Sequence, residues 1–173
     1  MAFRGFVVVS GPPAAGKSSL APRLAAALDL PLLAKDVIKD ALADALGASD
    51  LPRSRELGRA VASSTWTAAR TAGRGVLEGV WHDYARAPLA ARPAGTGRTP
   101  RREARAALRA RYAARSHSRG AGYFDLDRNP DELWHTEIGT PVAGEWPVLE
   151  VDTSGAVDVA ALAARIADAG RAL

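Results

Sequence analysis

The sequence predicts an α/β fold in three layers with a mostly parallel sheet, and three observations predict it. Short apolar runs rich in valine and leucine alternate with segments whose leucines recur at helical spacing. The first run, Phe3–Val9 (FRGFVVV), is nearly uninterrupted in its apolar character, as in a strand covered on both faces. A glycine-bounded turn then joins that run directly to the first helical pattern. Alternating strand and helix imply βαβ units with right-handed crossovers.

The elements follow in order. After the turn, Leu20, Leu24 and Leu28 mark one helix face, with Pro22 inside it at the expense of one backbone hydrogen bond. Pro31–Ala34 reads as a second strand. Asp36 opens a helix whose inward residues are expected to be Ile38, Leu42 and Leu46, stopped by Gly47. Ser49 or Asp50 can cap the next helix, with Pro52 in its first turn and Gly73 past its end. Gly75–Val80 is expected as a third strand and Trp146–Val151 as the last. Asp158 then caps a final helix carrying Val159, Leu162 and Ile166 inward.

The chain of 173 residues is expected to form one domain, with a lid segment around residues 100–130. No run approaches the length that crosses a bilayer, and the first residues read as a strand and not as a signal peptide, so the cytoplasm is the expected location. With no cysteine, disulfides and thiolate metal sites are excluded. The formal net charge is +4, and ten arginines fall between Arg86 and Arg119 with Glu103 as the lone acid. Such a block suits either a polyanionic partner or a plain arginine-rich surface.

Residues Gly11–Ser18, GPPAAGKS, fit G-x-x-x-x-G-K-[ST] between a strand and a helix, the context that gives this pattern its meaning. Phosphate oxygens need backbone N–H groups in a concave loop, and bulky side chains would block their approach. Gly11 and Gly16 supply backbone freedom, while Ala14 and Ala15 keep the cradle open. Pro12 and Pro13 lack N–H donors, so the donors are expected from about Ala14 to Ser19. Lys17 is placed to neutralise the β- and γ-phosphates and Ser18 to offer a hydroxyl to Mg²⁺, so ATP and Mg²⁺ are the expected cofactors. The guanine-reading N-K-x-D is absent; the three lysines are Lys17, Lys35 and Lys39.

GPPAAGKSSL, LLAKDVIKDAL, GVLEGVW, ARYAARSHSRGAGYFD and PVLEVDTSG, in that order, resemble the P-loop kinase-like family of AAA-domain ATP-binding proteins. Zeta toxins, chloramphenicol phosphotransferase, gluconate kinase and polynucleotide kinase domains are relatives of the same kind. The likeness spans most of the chain and is weakest at residues 87–110. It implies a P-loop NTPase fold of the small-molecule kinase type and transfer of the γ-phosphoryl group of ATP to a hydroxyl. It further implies that Asp36 takes or orients the acceptor's proton, a task suited to a carboxylate facing the γ-phosphate. A plain helix cap is the other use for that residue. Glu78, ending the third strand, matches an acidic position near the metal or acceptor; an arginine pairing is its alternative. Arg111 and Arg115, with Arg119, match lid arginines that clamp phosphates, for which a planar fork is suited; a solvated basic face is their alternative.

Other residues carry less. Asp152–Gly155 (DTSG) sits where related kinases place the loop beside the adenine, through backbone and not side chains; a plain strand-to-helix turn is its alternative. Trp66, Trp81 and Tyr84 line either an acceptor pocket or the core. His82, His117 and His135 lack ligand spacing and are assigned no metal. Relatives carry an apolar strand before the lid helix, and residues 87–111 hold no valine, isoleucine or aromatic residue before Arg111, so that strand is in doubt. The expected partner is a small-molecule acceptor, with no membrane and nucleic acid less favoured. A polynucleotide 5′-hydroxyl kinase and an ATP-binding module whose catalysis has decayed are the alternatives.

Overall fold

The computed structural model describes residues 5–81, 102–116, 124, 127–134, 138 and 147–171. Expectations for Phe3, His82, Tyr84, His117, Arg119, His135 and Trp146 lie outside them, as does most of the doubtful strand segment.

Three parallel strands form the sheet: β1 (Phe6–Val9), β2 (Leu32–Ala34) and β3 (Gly75–Glu78), in the order β1-β3-β2. Successive strand side chains point to opposite faces, and each face here is covered by helices. Val7, Val9 and Val76 pack against α1 (Lys17–Leu28) through Leu20, Leu24 and Leu28. They also meet the last helix, α5 (Val159–Arg171), through Val159, Leu162 and Ile166. Phe6, Val8 and Leu77 meet the opposite layer, α3 (Leu51–Ala72), at Ala62 and Ala69, with Trp81 beside them. This is the expected three-layer arrangement, and burial on both faces explains the unbroken valines of β1.

Local chemistry sets the helix ends. Asp50 caps α3 by accepting from the Arg53 amide at 2.8 Å, Pro52 occupies the first turn, and Gly73 closes the helix at φ 70°. Asp158 caps α5 by accepting from the Ala161 amide at 2.9 Å. Pro22 is accommodated inside α1.

The structure departs from expectation in two places. In α2 (Lys35–Leu46) the buried side chains are Lys35 and Lys39, Ile38 and Leu42 are only half-buried, and Leu46 is exposed. The apolar stripe was therefore not the inner line; the inner line is a pair of lysines one turn apart. Lys39 Nζ donates to the buried Ser54 Oγ at 2.8 Å, which joins α2 to α3. Second, residues 147–151 form no strand, although Leu149 and Val151 pack on the α1–α5 core. A strand needs a ladder partner, and among the described residues β1 pairs with β3 alone. Residues 102–111, in the segment where a strand was in doubt, belong to a helix, α4 (Arg102–Ser116), which carries Arg111 and Arg115.

Candidate nucleotide and acceptor site

β3 is the central strand, and its last residue, Glu78, is in register with Val9 of β1 and Ala34 of β2. Beyond this row β1 runs into the glycine loop, β2 into Lys35 and Asp36, and β3 into Gly79. The three carboxyl ends therefore deliver their following residues to one crevice, where open α/β sheets bind ligands.

The loop turns through backbone conformations that its small residues permit. Gly11 has φ 145° and Gly16 φ 75°, and Ala14 holds φ 60°, a left-handed conformation that costs an alanine about 1–2 kcal/mol. Such strain gathers at ligand-binding loops. Gly16 precedes α1 with no side-chain cap, so first-turn N–H groups of that helix are left for an anion. The Ala15 amide donates to Pro12 O at 3.3 Å and the Ser19 amide to Gly16 O at 3.2 Å, so these two of the expected donors also hold the loop's own shape. Lys17 is buried, and its ammonium donates to Pro12 O at 2.9 Å, arching the side chain back over the loop.

Ser18 Oγ donates to Glu78 Oε1 at 3.3 Å, linking the loop to β3. Glu78 is only 2 % exposed. Burial raises its carboxyl above the ordinary value of 4.5, and the neighbouring Asp36 charge adds to the rise. Lys17, the Ser18 hydroxyl and Lys35 act against it. Two carboxylates and two ammonium groups are thus near enough to feel one another. The Ser18–Glu78 pair presents hard oxygen donors of the kind Mg²⁺ prefers, and Mg²⁺ usually takes one or two protein ligands beside phosphates and water. Among the described residues no group of three or more His, Asp or Glu side chains is placed to hold a metal.

Asp36 lies half-buried inside the first turn of α2. The cap position is Ala34, and no side chain caps that helix, so the capping alternative for Asp36 does not hold.

On the far side of the loop, Leu108 and Tyr112 of α4 pack with Leu133 and Trp134 against Ala15. Tyr112 and Trp134 meet edge to face with centroids 6.2 Å apart, and the Arg109 guanidinium lies 5.6 Å from the Trp134 ring centroid. Arg111 is exposed on this helix, and Arg115 lies one turn further along it. The aromatic junction gave no motif by which sequence alone would find it. Nor did Thr153: its Oγ1 donates to Ala15 O at 3.0 Å, and its side chain would touch a β-carbon at Gly16 at 3.5 Å. The DTSG turn therefore braces the loop through the Thr153 side chain. Trp66 and Trp81 join the core on the α3 face, Trp66 tilted on Phe6 at 5.9 Å.

No protein-family model matches the chain, and no curated protein matches it in sequence. Solved structures match it well in shape. A candidate kinase from Chloroflexus aurantiacus J-10-fl superposes with a TM-score of 0.73 at 23% identity, over 96% of this chain and 98% of that one. A gluconokinase from Sinorhizobium meliloti 1021 gives 0.56 at 16% identity, over 99% and 92%. A shikimate kinase from Acinetobacter baumannii, solved with shikimate, gives 0.53 at 16% identity, over 95% and 92%. The chain has the P-loop kinase-like fold. Within that class the matches extend nearly end to end, so the likeness is one of the whole fold and not of the loop alone.

Proposed function

We propose that the protein is an ATP-dependent kinase that transfers the γ-phosphoryl group to a hydroxyl of a small molecule. The observation that carries this reading is the meeting of Lys17, Ser18, Asp36 and Glu78 at the carboxyl ends of three parallel strands. The fold neighbours add support, since gluconokinase and shikimate kinase act on small hydroxylated molecules.

In this reading Gly11, Ala14, Ala15, Gly16, Lys17, Ser18 and Ser19 receive the triphosphate, the Lys17 ammonium moving from Pro12 O to phosphate oxygen. Ser18 and Glu78 hold Mg²⁺, which supplies charge neutralisation on the phosphates when bound. Asp36 accepts the acceptor's hydroxyl proton as the new O–P bond forms. The bond from the γ-phosphorus to the bridging oxygen breaks, and ADP leaves with that electron pair. Arg111 and Arg115 clamp the transferring group once α4 closes, and residues 100–130 act as the lid of a single domain. A cytoplasmic location belongs to this reading; among the described helices none is long and apolar enough to cross a membrane.

The test is Asp36→Asn. Phosphoryl transfer to a small hydroxylated acceptor, followed by ADP release, is expected to fall about 10²-fold or more, with Mg·ATP affinity nearly retained. Unchanged turnover would remove Asp36 from the mechanism.

A further inference from the structure

Helix α2 is seated in a way that its apolar residues do not explain. Ile38, Leu42 and Leu46 make one stripe of the helix, yet Ile38 and Leu42 are half-buried and Leu46 is 61 % exposed. The line turned inward is Lys35 and Lys39. At about 100° per residue, the two lines are centred roughly 40° apart around the helix axis. Burying ammonium groups while apolar side chains stay half outside is unfavourable on both counts. Specific bonds must therefore hold α2 in this rotation.

Two such bonds are present, one turn apart. Lys39 Nζ donates to Ser54 Oγ at 2.8 Å, and Ser54 is wholly buried near the start of α3. Lys35 Nζ donates to Val80 O at the longer distance of 3.3 Å. The first is a short, charge-assisted bond between two helices. What the rotation sets is the direction of Asp36, which lies about 80° around the helix from the lysine line and about 120° from the apolar stripe. Turning α2 to bury the stripe would swing Asp36 outward. At a side-chain radius of about 5–6 Å, that turn moves its carboxyl by about 4 Å. A misplacement of about 1 Å can already lower a rate on the order of 10²-fold.

We propose that Lys39 and Ser54 are positioning residues for Asp36, their buried bond fixing the rotation of α2 against that helix's own apolar stripe. This rests on the kinase reading and adds the residues that aim its base. In this role the lysine acts through the helix that carries Asp36 and needs no contact with nucleotide or acceptor. An apolar residue in its place would bury more favourably. It would not bond the Ser54 hydroxyl, however, and would join the stripe of Ile38 and Leu42.

The chain has no cysteine, so single thiols introduced as Ile38→Cys or Ala43→Cys report the rotation. Both positions are half-buried and flank the lysine line on opposite sides, and Ala43 lies two turns after Asp36 on the same stripe. Reaction rates with dithionitrobenzoate are measured for each thiol, with and without Ser54→Ala. With Ser54→Ala, the thiol at position 43 is expected to react about twofold or more faster and that at position 38 about twofold or more slower. ADP release from Mg·ATP is followed with water alone and with gluconate or shikimate added. It is expected to fall about tenfold or more in Ser54→Ala, with the Mg·ATP dissociation constant held within about twofold. Lys39→Met/Ser54→Ala also removes the buried charge, which guards against a failure to fold, and is expected to show the same pattern. Unchanged rates at both positions overturn the inference, as does a rise at both, which is loosening without turning. Full ADP release in either variant overturns it too. Mg·ATP binding and ADP release by the parent protein are read alongside. Absence of either strikes the kinase reading, while the thiol rates still decide the rotation.

Discussion

Thr153 offers the sharpest test of how the phosphate loop is held. Its hydroxyl reaches Ala15 O at 3.0 Å from a residue 138 positions away, and its methyl carbon faces Gly16. Thr153→Val keeps the shape and deletes one donor, so the Ala15 carbonyl loses that partner. A partly buried hydrogen bond of this kind contributes about 0.5–1.5 kcal/mol net. That sum divides between global stability and the preorganisation of the loop. If all of it fell on nucleotide binding, the Mg·ATP dissociation constant would rise about twofold to tenfold. Calorimetric titration and urea unfolding, run on the same preparations, measure the two shares. Thr153→Ser retains the hydroxyl and is expected to lie close to the parent protein in both. The reasoning is refuted if Thr153→Val changes neither quantity, or if Thr153→Ser is as damaging as Thr153→Val.

Two further outcomes follow from the same geometry. Burial raises the Glu78 carboxyl above its ordinary value, so its contribution to stability is full below its unfolded-state value and declines as pH rises through the raised folded-state value. Glu78→Gln should therefore raise the melting temperature at neutral pH, with the gain vanishing in acid, while weakening the Mg²⁺ dependence of ATP binding; thermal unfolding across pH checks this. Leu108 is buried against Ala15, and Leu108→Ala should lower the unfolding free energy by about 2–5 kcal/mol, measured by denaturant titration.

The parts of this structure that sequence made legible are those fixed by local chemistry. The glycine loop, the Asp50 cap, Gly73 at a helix end and the doubly buried β1 each follow from residues within a few positions of one another. The parts that stayed hidden depend on contacts across the chain. Helical spacing picked Ile38, Leu42 and Leu46 as the inner line of α2, because spacing assumes that the inside is apolar. Here that helix borders a polar crevice, and Lys35 and Lys39 face inward instead. The residues from Pro147 to Val151 have strand composition, but composition cannot supply a neighbour with which to pair. Tyr112, Trp134 and Thr153 touch the loop from distant segments, and no spacing rule connects them to it. For Asp36, its place after β2 was readable, whereas its position inside the helical turn, with Ala34 at the cap, required the backbone itself.

The account rests on the Lys17 ammonium and the open helix end receiving the phosphates of ATP. Calorimetric titration of the purified protein and of Lys17→Met with Mg·ATP tests this most directly. Saturable binding by the parent, weakened about tenfold or more when the ammonium is replaced by a methyl-ended chain, is the expected result. No binding by the folded parent, or equal binding by both proteins, would contradict it.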